Sequence, residues 1–394
     1  MPLVSVIMPS YNHERFVSEA IESVLNQTLG DLELIIIDDA SKDNSRRIIE
    51  DFSKKDSRVK AIFHERNMGI ARTLNDGIKA AKGKFIAFHA SDDLWVKDKL
   101  EKELKVLEQN EDFVVWTEVE IIDAQGSPTG QLGTQRWGAS NRSKSGDIFE
   151  ELLRGNFIPN RILKKENVRD IRFNEALRYL NDWQFDVDLA RRYIYYFIPE
   201  PLVKKREHGS NTADRDRQGY SKDLMVICQY FLDEYPNDMS NVTKSVIYLQ
   251  MAQCYRGLGN NDMSNVTKSR IYLQMAQCYK ELGNNDMSNV TKSRIYLQMA
   301  KCYKELGNKH QAKDFLHSAK YFIANCSDQT SKRETSAIYL GMVSAYLSLG
   351  NRVQALKCLY TAVKLDPSLL RTLLSRVNPK YLLQIVKSLV VGRT

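Results

Sequence analysis

The stretch Leu34-Ile35-Ile36-Ile37-Asp38-Asp39-Ala40-Ser41 runs four apolar residues straight into two adjacent carboxylates. A short, unbroken apolar run that ends in polar residues suits a strand covered on both faces, as in a parallel sheet. Residues 3–8, 59–63 and 85–88 have the same character, and helical-period segments lie between them. Residues 13–29 bring Phe16, Ala20, Ile21, Val24 and Leu25 to one face, with Asn12 as the expected N-cap. Strand and helix alternate in this way to about Ile122, which predicts an α/β domain with a mostly parallel mixed sheet between helices.

In such sheets ligands bind beyond the carboxyl ends of the strands. Asp38-Asp39 stands at one such end and Ser91-Asp92-Asp93 at another. Ser41 or Asp43 can cap the next helix, but capping does not call for two neighbouring carboxylates beside a buried apolar run. Asp92-Asp93 can be a solvated loop. Alternatively, the pair can hold a hard divalent cation, which in turn holds a diphosphate and neutralises a leaving group. Neither a G-x-G-x-x-G nor a G-x-x-x-x-G-K-[ST] loop occurs in this half, which disfavours dinucleotide redox and P-loop chemistry.

From about Ser221 the pattern is helical throughout. Asn237-Asp238-Met239 recurs at Asn261 and Asn285, a period of 24 residues, and each block closes on Leu-Gly-Asn as a glycine-capped helix. Two segments resemble tetratricopeptide repeats. Residues 336–369 do so through Tyr339, Met342, Tyr346, Gly350, Ala355, Leu359, Ala362 and Pro367, and residues 293–326 through Tyr296, Met299, Ala300, Tyr303, Gly307, Ala312, Leu316 and Ala319. Small residues where helices cross are what close hairpin packing needs. The expected division is 1–215 and 216–394.

The first part resembles a family 2 glycosyltransferase of GT-A fold, through four stretches. These are Val4-Ser5-Val6-Ile7-Met8-Pro9-Ser10-Tyr11-Asn12, Ile37-Asp38-Asp39-Ala40-Ser41, the block from Asn67-Met68-Gly69-Ile70 through Asn75-Asp76-Gly77-Ile78 to Ala81-Lys82-Gly83-Lys84-Phe85-Ile86, and Phe88-His89-Ala90-Ser91-Asp92-Asp93. The resemblance implies an inverting transfer from a nucleotide-diphosphate sugar, a UDP-sugar, with Mn²⁺ or Mg²⁺, onto a glycan or lipid-linked acceptor in cell-surface polysaccharide or glycoconjugate synthesis. It implies that Pro9 and Tyr11 flank base and ribose, that Asp39 meets the base, that Asp92 serves the ribose and that Asp93 serves the metal. Asp182, in Tyr179-Leu180-Asn181-Asp182-Trp183, matches the family's base, with a plain N-cap as its alternative. Arg206-Glu207-His208 is similar to the closing loop, where Arg206 approaches the diphosphate and His208 the metal. Ala90 and Leu74 depart from the Asp and Arg that many relatives carry. A second reading takes those departures as decay, leaving an adaptor that works through its helical repeats.

At 394 residues the chain accommodates two domains, and a net charge of +8 with both signs interspersed argues against a nucleic-acid stripe. No apolar stretch approaches the roughly 18 residues needed to span a bilayer, and the opening residues lack a signal-type core. A cytoplasmic protein is therefore expected. The six cysteines all lie in the back part without a C-x-x-C pair, and are expected to be buried thiols. The sequons at Asn241, Asn265 and Asn289 are by-products of the duplication. Residues 371–394 carry five basic and no acidic residues; they suit a helix capping the stack or peripheral contact with an anionic membrane. The repeats themselves suit a protein partner or self-association.

Overall fold

A computed structural model of the chain describes residues 1–139, 144–208, 216–258, 309–324 and 332–366, with isolated positions between 293 and 304. The chain divides into two compact units, Met1–Asp238 and Met239–Thr394.

The first unit opens β1 (Val4–Ser10), α1 (Val17–Leu25), β2 (Leu32–Asp38), α2 (Ser45–Lys55), β3 (Val59–Phe63), α3 (Ile70–Ala80) and β4 (Phe85–Phe88). Strands β3, β2, β1 and β4 lie side by side and parallel. This is the half announced by the apolar runs, and nearly every residue of β1 and β2 is buried. Next come β5 (Leu94–Trp95), α4 (Lys99–Leu107), β6 (Val114–Ile122), β7 (Pro128–Leu132), α5 (Gly133–Arg136), α6 (Phe149–Leu153), β8 (Ile162–Lys164), α7 (Asn181–Ala190) and β9 (Tyr195–Arg206). They extend the sheet in the order β4-β8-β6-β9-β5, with β7 beside β6. Strand β8 runs antiparallel to both neighbours, so the sheet is mixed. Helix α8 (Arg217–Glu234) closes this unit, with Phe231 packed edge-on to Trp183 of α7.

Two glycines explain how tightly the layers meet. A Cβ on Gly77 of α3 would stand 2.4 Å from Ile7 Cγ2, and one on Gly83 would stand 2.6 Å from the Ser5 nitrogen. The Gly83 N–H donates to Ser5 Oγ at 2.7 Å. Backbone approach this close admits no side chain.

Helix α1 starts later than the periodicity predicts, and Asn12 is not its N-cap. Asn12 adopts φ 56°, and its N–H donates to Ser41 Oγ while its Oδ1 accepts from the Lys42 N–H. The His13 N–H donates to Ser45 Oγ and the Glu14 N–H to Asp43 Oδ2. Residues 12–14 are thus spent on stitching the loop after β1 to the loop after β2, and the helix begins only at Val17.

In the second unit, α9 (Asn241–Leu258) is followed among the described residues by α10 (Lys309–Ala324), α11 (Lys332–Ser348) and α12 (Arg352–Leu365). The last three share a core of Leu297, Ala300, Leu316, Ala319, Ile323, Tyr339, Met342, Tyr346, Ala355, Cys358 and Ala362, the large-beside-small pattern of the tetratricopeptide positions. Ser293 Oγ donates to the Ala319 carbonyl and Ser336 Oγ to the Ala362 carbonyl. The same helix-to-helix bond thus recurs in both repeats. Cys228, Cys254 and Cys358 are buried thiols. The other three cysteines, two of the three sequons, most of the later 24-residue blocks and the basic tail lie outside the described residues. No described helix is long and apolar enough to cross a membrane.

Candidate active site

The carboxyl ends of β1, β2 and β4 bring three loops together, and the end of β9 adds a fourth. His13 follows β1, Asp92 follows β4 and His208 follows β9. One side-chain ligand atom from each of these three residues lies within 4.8 Å of the others. His208 Nε2 is 3.1 Å from Asp92 Oδ2, and His13 Nδ1 is 2.8 Å from Ser91 Oγ. The His208 ring also lies against Phe16, with centroids 4.8 Å apart. Burial lowers the His13 pKa, which leaves its ring neutral and able to act as a ligand at pH 7. Burial opposes ionisation of Asp92, but His13, Lys205 and His208 outweigh it and hold the carboxyl below its ordinary value.

Asp93 points elsewhere. Its Oδ1 accepts the Arg206 backbone N–H at 2.8 Å, and its Oδ2 is 3.9 Å from Lys205 Nζ. Burial pushes its pKa up to about 7 against the pull of Lys205. The residue that stands with His208 is therefore Asp92. Sequence reading did not pick out His13 or Lys205. His13 had a usable signal, since it sits three residues past β1 at the ligand-bearing edge of the sheet.

The Arg206 side chain is only 2% exposed. Its Nε donates to the Asp92 carbonyl, Nη1 to the Ala124 carbonyl and Nη2 to Glu19, and the guanidinium lies 5.0 Å from the Phe16 ring centre. These bonds lock the turn after β4 to the end of β9, so Arg206 shapes the site from behind. Asp39 is likewise engaged: its carboxylate accepts the Met68 and Gly69 N–H groups at 2.7 and 2.8 Å and meets His64 Nδ1 at 2.7 Å. It thus receives the entry to α3. Ala40 beside it holds φ 62°, a left-handed conformation unfavourable for a residue with a Cβ. Pro9 is next to last in β1, half-buried opposite Ile37, and Tyr11 is 43% exposed at the mouth of the same edge.

Asp182 lies in the first turn of α7, where the helix N-terminus favours a carboxylate. Its Oδ1 accepts the Trp183 N–H at 2.8 Å. Burial raises its pKa, and Arg161 is the strongest influence pulling it back, with Lys205 also contributing. Lys205 in turn is held charged first by Asp93 and then by Asp92 and Asp182. One ammonium therefore faces both the acidic pair after β4 and the carboxylate of α7. Asp186, also on α7, is fully buried, 2.6 Å from Arg161 Nη2, and burial pushes its carboxyl up to about 7.

Leu74 is buried on α3, and Ala90 supplies a carbonyl to the Asp93 N–H. His89 is enclosed with its ring 4.6 Å from that of Trp95, and burial drives its pKa down to about 3. It is a neutral core residue.

The model described as glycosyl transferase family 2 matches residues 5–172, and two tetratricopeptide models match 295–321 and 336–369. An uncharacterized glycosyltransferase of Haemophilus influenzae is 34% identical over 225 residues, 54% of this chain and 68% of that one. The chain belongs to glycosyl transferase family 2. A Rickettsia bellii glycosyltransferase is also 34% identical, over 58% of this chain, but the match spans only 32% of that protein's length. The putative teichuronic acid biosynthesis glycosyltransferase TuaG of Bacillus subtilis is 39% identical over 127 residues, 32% of this chain and 50% of that one. Among solved structures, residues 1–349 of S. aureus TarS, in complex with UDP, share the fold. The TM-score is 0.50 at 16% identity, over 82% of this chain and 92% of that one. The sheet of the first unit is thus that of the GT-A transferases, followed by tetratricopeptide helices.

Proposed function

We propose that this family 2 member is a metal-dependent inverting glycosyltransferase, moving a sugar from a nucleoside-diphosphate donor, a UDP-sugar, to an acceptor hydroxyl. The observation that carries the reading is the convergence of His13, Asp92 and His208 at the ligand-bearing edge of the sheet. Two imidazoles and one carboxylate fit a divalent transition metal, and nitrogen donors favour Mn²⁺ over Mg²⁺. When bound there, a divalent cation would neutralise charge on the departing diphosphate. The likeness to TuaG supports cell-surface polysaccharide synthesis as the setting.

The chain's own residues supply the rest. Asp182 accepts the proton of the acceptor hydroxyl as that oxygen forms its bond to the anomeric carbon and the bond to the diphosphate breaks. Lys205 faces the same cleft as a fixed cation, in the absence of an arginine at position 74, and offers charge-assisted contact to the diphosphate. Arg206 and Asp39 act through their own chain, fixing the loops that carry the ligands.

The test is a screen of UDP-sugars with the full chain, scoring release of UDP with Mn²⁺, with Mg²⁺ and with EDTA. Release that requires the cation and is faster with Mn²⁺ is expected. Absence of UDP binding and of release across the common donors would overturn the reading.

A further inference from the structure

Arg161 is buried just ahead of β8, yet no step above uses it. Its Nη2 donates to Asp186 Oδ2 at 2.6 Å. Asp186 is itself fixed by the Tyr195 hydroxyl, which lies 3.1 Å from its other oxygen. The guanidinium is flanked by Phe88 and Phe185, each ring centre 5.7 Å away. Its Nε–H is buried and meets no acceptor among the described residues. Asp182 and Asp186 are four residues apart on α7, so their side chains share one face at a Cβ separation of about 6 Å. A guanidinium clamped to Asp186 therefore stands beside Asp182 with donor capacity to spare.

We infer that Arg161 is a positioning residue for Asp182, anchored by Asp186 and Tyr195 so that its charge keeps the proposed base in its proton-accepting form. The inference rests on the reading of Asp182 as that base. The groups that face Asp182 are the cations Arg161 from ahead of β8 and Lys205 from β9, and Asp186 from its own helix, whose carboxyl pKa is raised by burial. Lys205 is already committed most strongly to Asp93. That leaves Arg161 as the cation that holds Asp182 ionised, while the charge of Asp182 helps keep Asp186 protonated.

The test reads the Asp182 midpoint directly. The full-length chain, free of metal and labelled with ¹³C at aspartate Cγ, is titrated by NMR, and the Asp182 resonance is assigned by its loss in Asp182→Asn. Arg161→Gln is expected to raise the Asp182 midpoint by about one pH unit, a tenfold change in its protonation constant. Asp186→Asn, which copies the neutral acid and can still accept from Arg161, is expected to leave it nearly unmoved. Arg161→Lys keeps the charge and is expected to restore most of the wild-type midpoint. An unmoved midpoint in folded Arg161→Gln would overturn the inference, as would a rise in Arg161→Lys as large as that in Arg161→Gln. If Arg161→Gln does not fold, the wild-type chain decides: the buried Arg161 Nε–H resonance is expected to titrate with the Asp182 midpoint and to stop doing so in Asp182→Asn, and an unresponsive resonance overturns the inference. The titration needs no donor, so its failure is separable from that of the functional reading, which the UDP-release screen tests.

Discussion

The two units bury different chemistry. The first encloses Asp38, Asp39, Asp93, Lys99, Glu103, Arg161, Asp186 and Arg206, whereas the buried polar residues described in the second are Thr243, Ser245, Ser293 and Ser336. An enclosed charge must be paired or it is costly, and a hydroxyl needs only one neighbouring carbonyl. The first unit therefore carries strain and charge where its loops meet, at Ala40, Asp93 and Asp182. The second repeats one neutral device, serine to alanine carbonyl, from hairpin to hairpin. A catalytic unit tolerates the first expense, and a stacked scaffold avoids it.

The sharpest way to break this contrast is to remove one charge without changing shape. Asp182→Asn should lower UDP-sugar turnover by about 10² to 10⁴-fold, the range for loss of a general base, while leaving UDP·Mn²⁺ affinity within about twofold. Comparing steady-state rates with calorimetric titration decides it. A variant that loses binding as much as rate would make Asp182 part of the donor site.

The next effect is on the metal. His208→Ala should weaken Mn²⁺ binding by about 100-fold, and His13→Ala by a comparable factor, measured with Mn²⁺ alone by electron paramagnetic resonance. Asp93→Asn is the discriminating control. Because Asp93 faces Lys205 and the Arg206 N–H, it should change Mn²⁺ affinity far less than Asp92→Asn does. The reverse order would return Asp93 to the place that the motif alone suggests.

A smaller effect tests burial by itself. His89 titrates at about 3 in the folded chain, against an ordinary value of 6.5. The unfolded chain binds the proton more readily, so the His89 contribution is fully present above pH 6.5 and is lost as pH falls toward 3. By pH 5 the loss amounts to about 2 kcal/mol. Urea melts at pH 7 and pH 5 should show His89→Leu losing that much less stability on acidification than the wild type.

How much of this was legible in the sequence follows the same line between neutral and charged burial. Strands β1 to β4 announce themselves because parallel strands covered on both faces are unbroken apolar runs. Strand β9 does not, since Pro199 and Pro201 interrupt it, and its register against β6 shifts at Thr117 and Glu118. That hidden strand delivers Lys205, Arg206 and His208, so the motif could name His208 but not who stands beside it. Asp39 and Arg206 were legible as important and illegible in role. Their partners, the Met68 and Gly69 amides and Glu19, are distant in sequence, and only the fold brings them together. The tetratricopeptide positions were plain because each repeat packs mainly on its neighbours.

The least of the expected effects falls on the second unit and asks whether its serines are as inexpensive as the contrast requires. Ser336 Oγ donates to the Ala362 carbonyl at 3.0 Å between α11 and α12, and both residues are buried. Ala362 O also accepts the Asp366 N–H as the backbone bond closing α12. Ser336→Ala therefore removes one neutral bond and leaves no orphaned acceptor. It should cost about 1 kcal/mol of stability for the helical unit and leave UDP-sugar turnover unchanged. Ser336→Asp, two heavy atoms larger and charged, should cost several kcal/mol at the same place, because the carboxylate would be crowded against a carbonyl. Denaturant melts of the full chain followed by far-ultraviolet circular dichroism, with turnover measured in parallel, compare the two. Equal tolerance of alanine and aspartate would mean that the position is wet rather than buried, and the contrast between the units would then lie in solvent access instead of in the chemistry each one encloses.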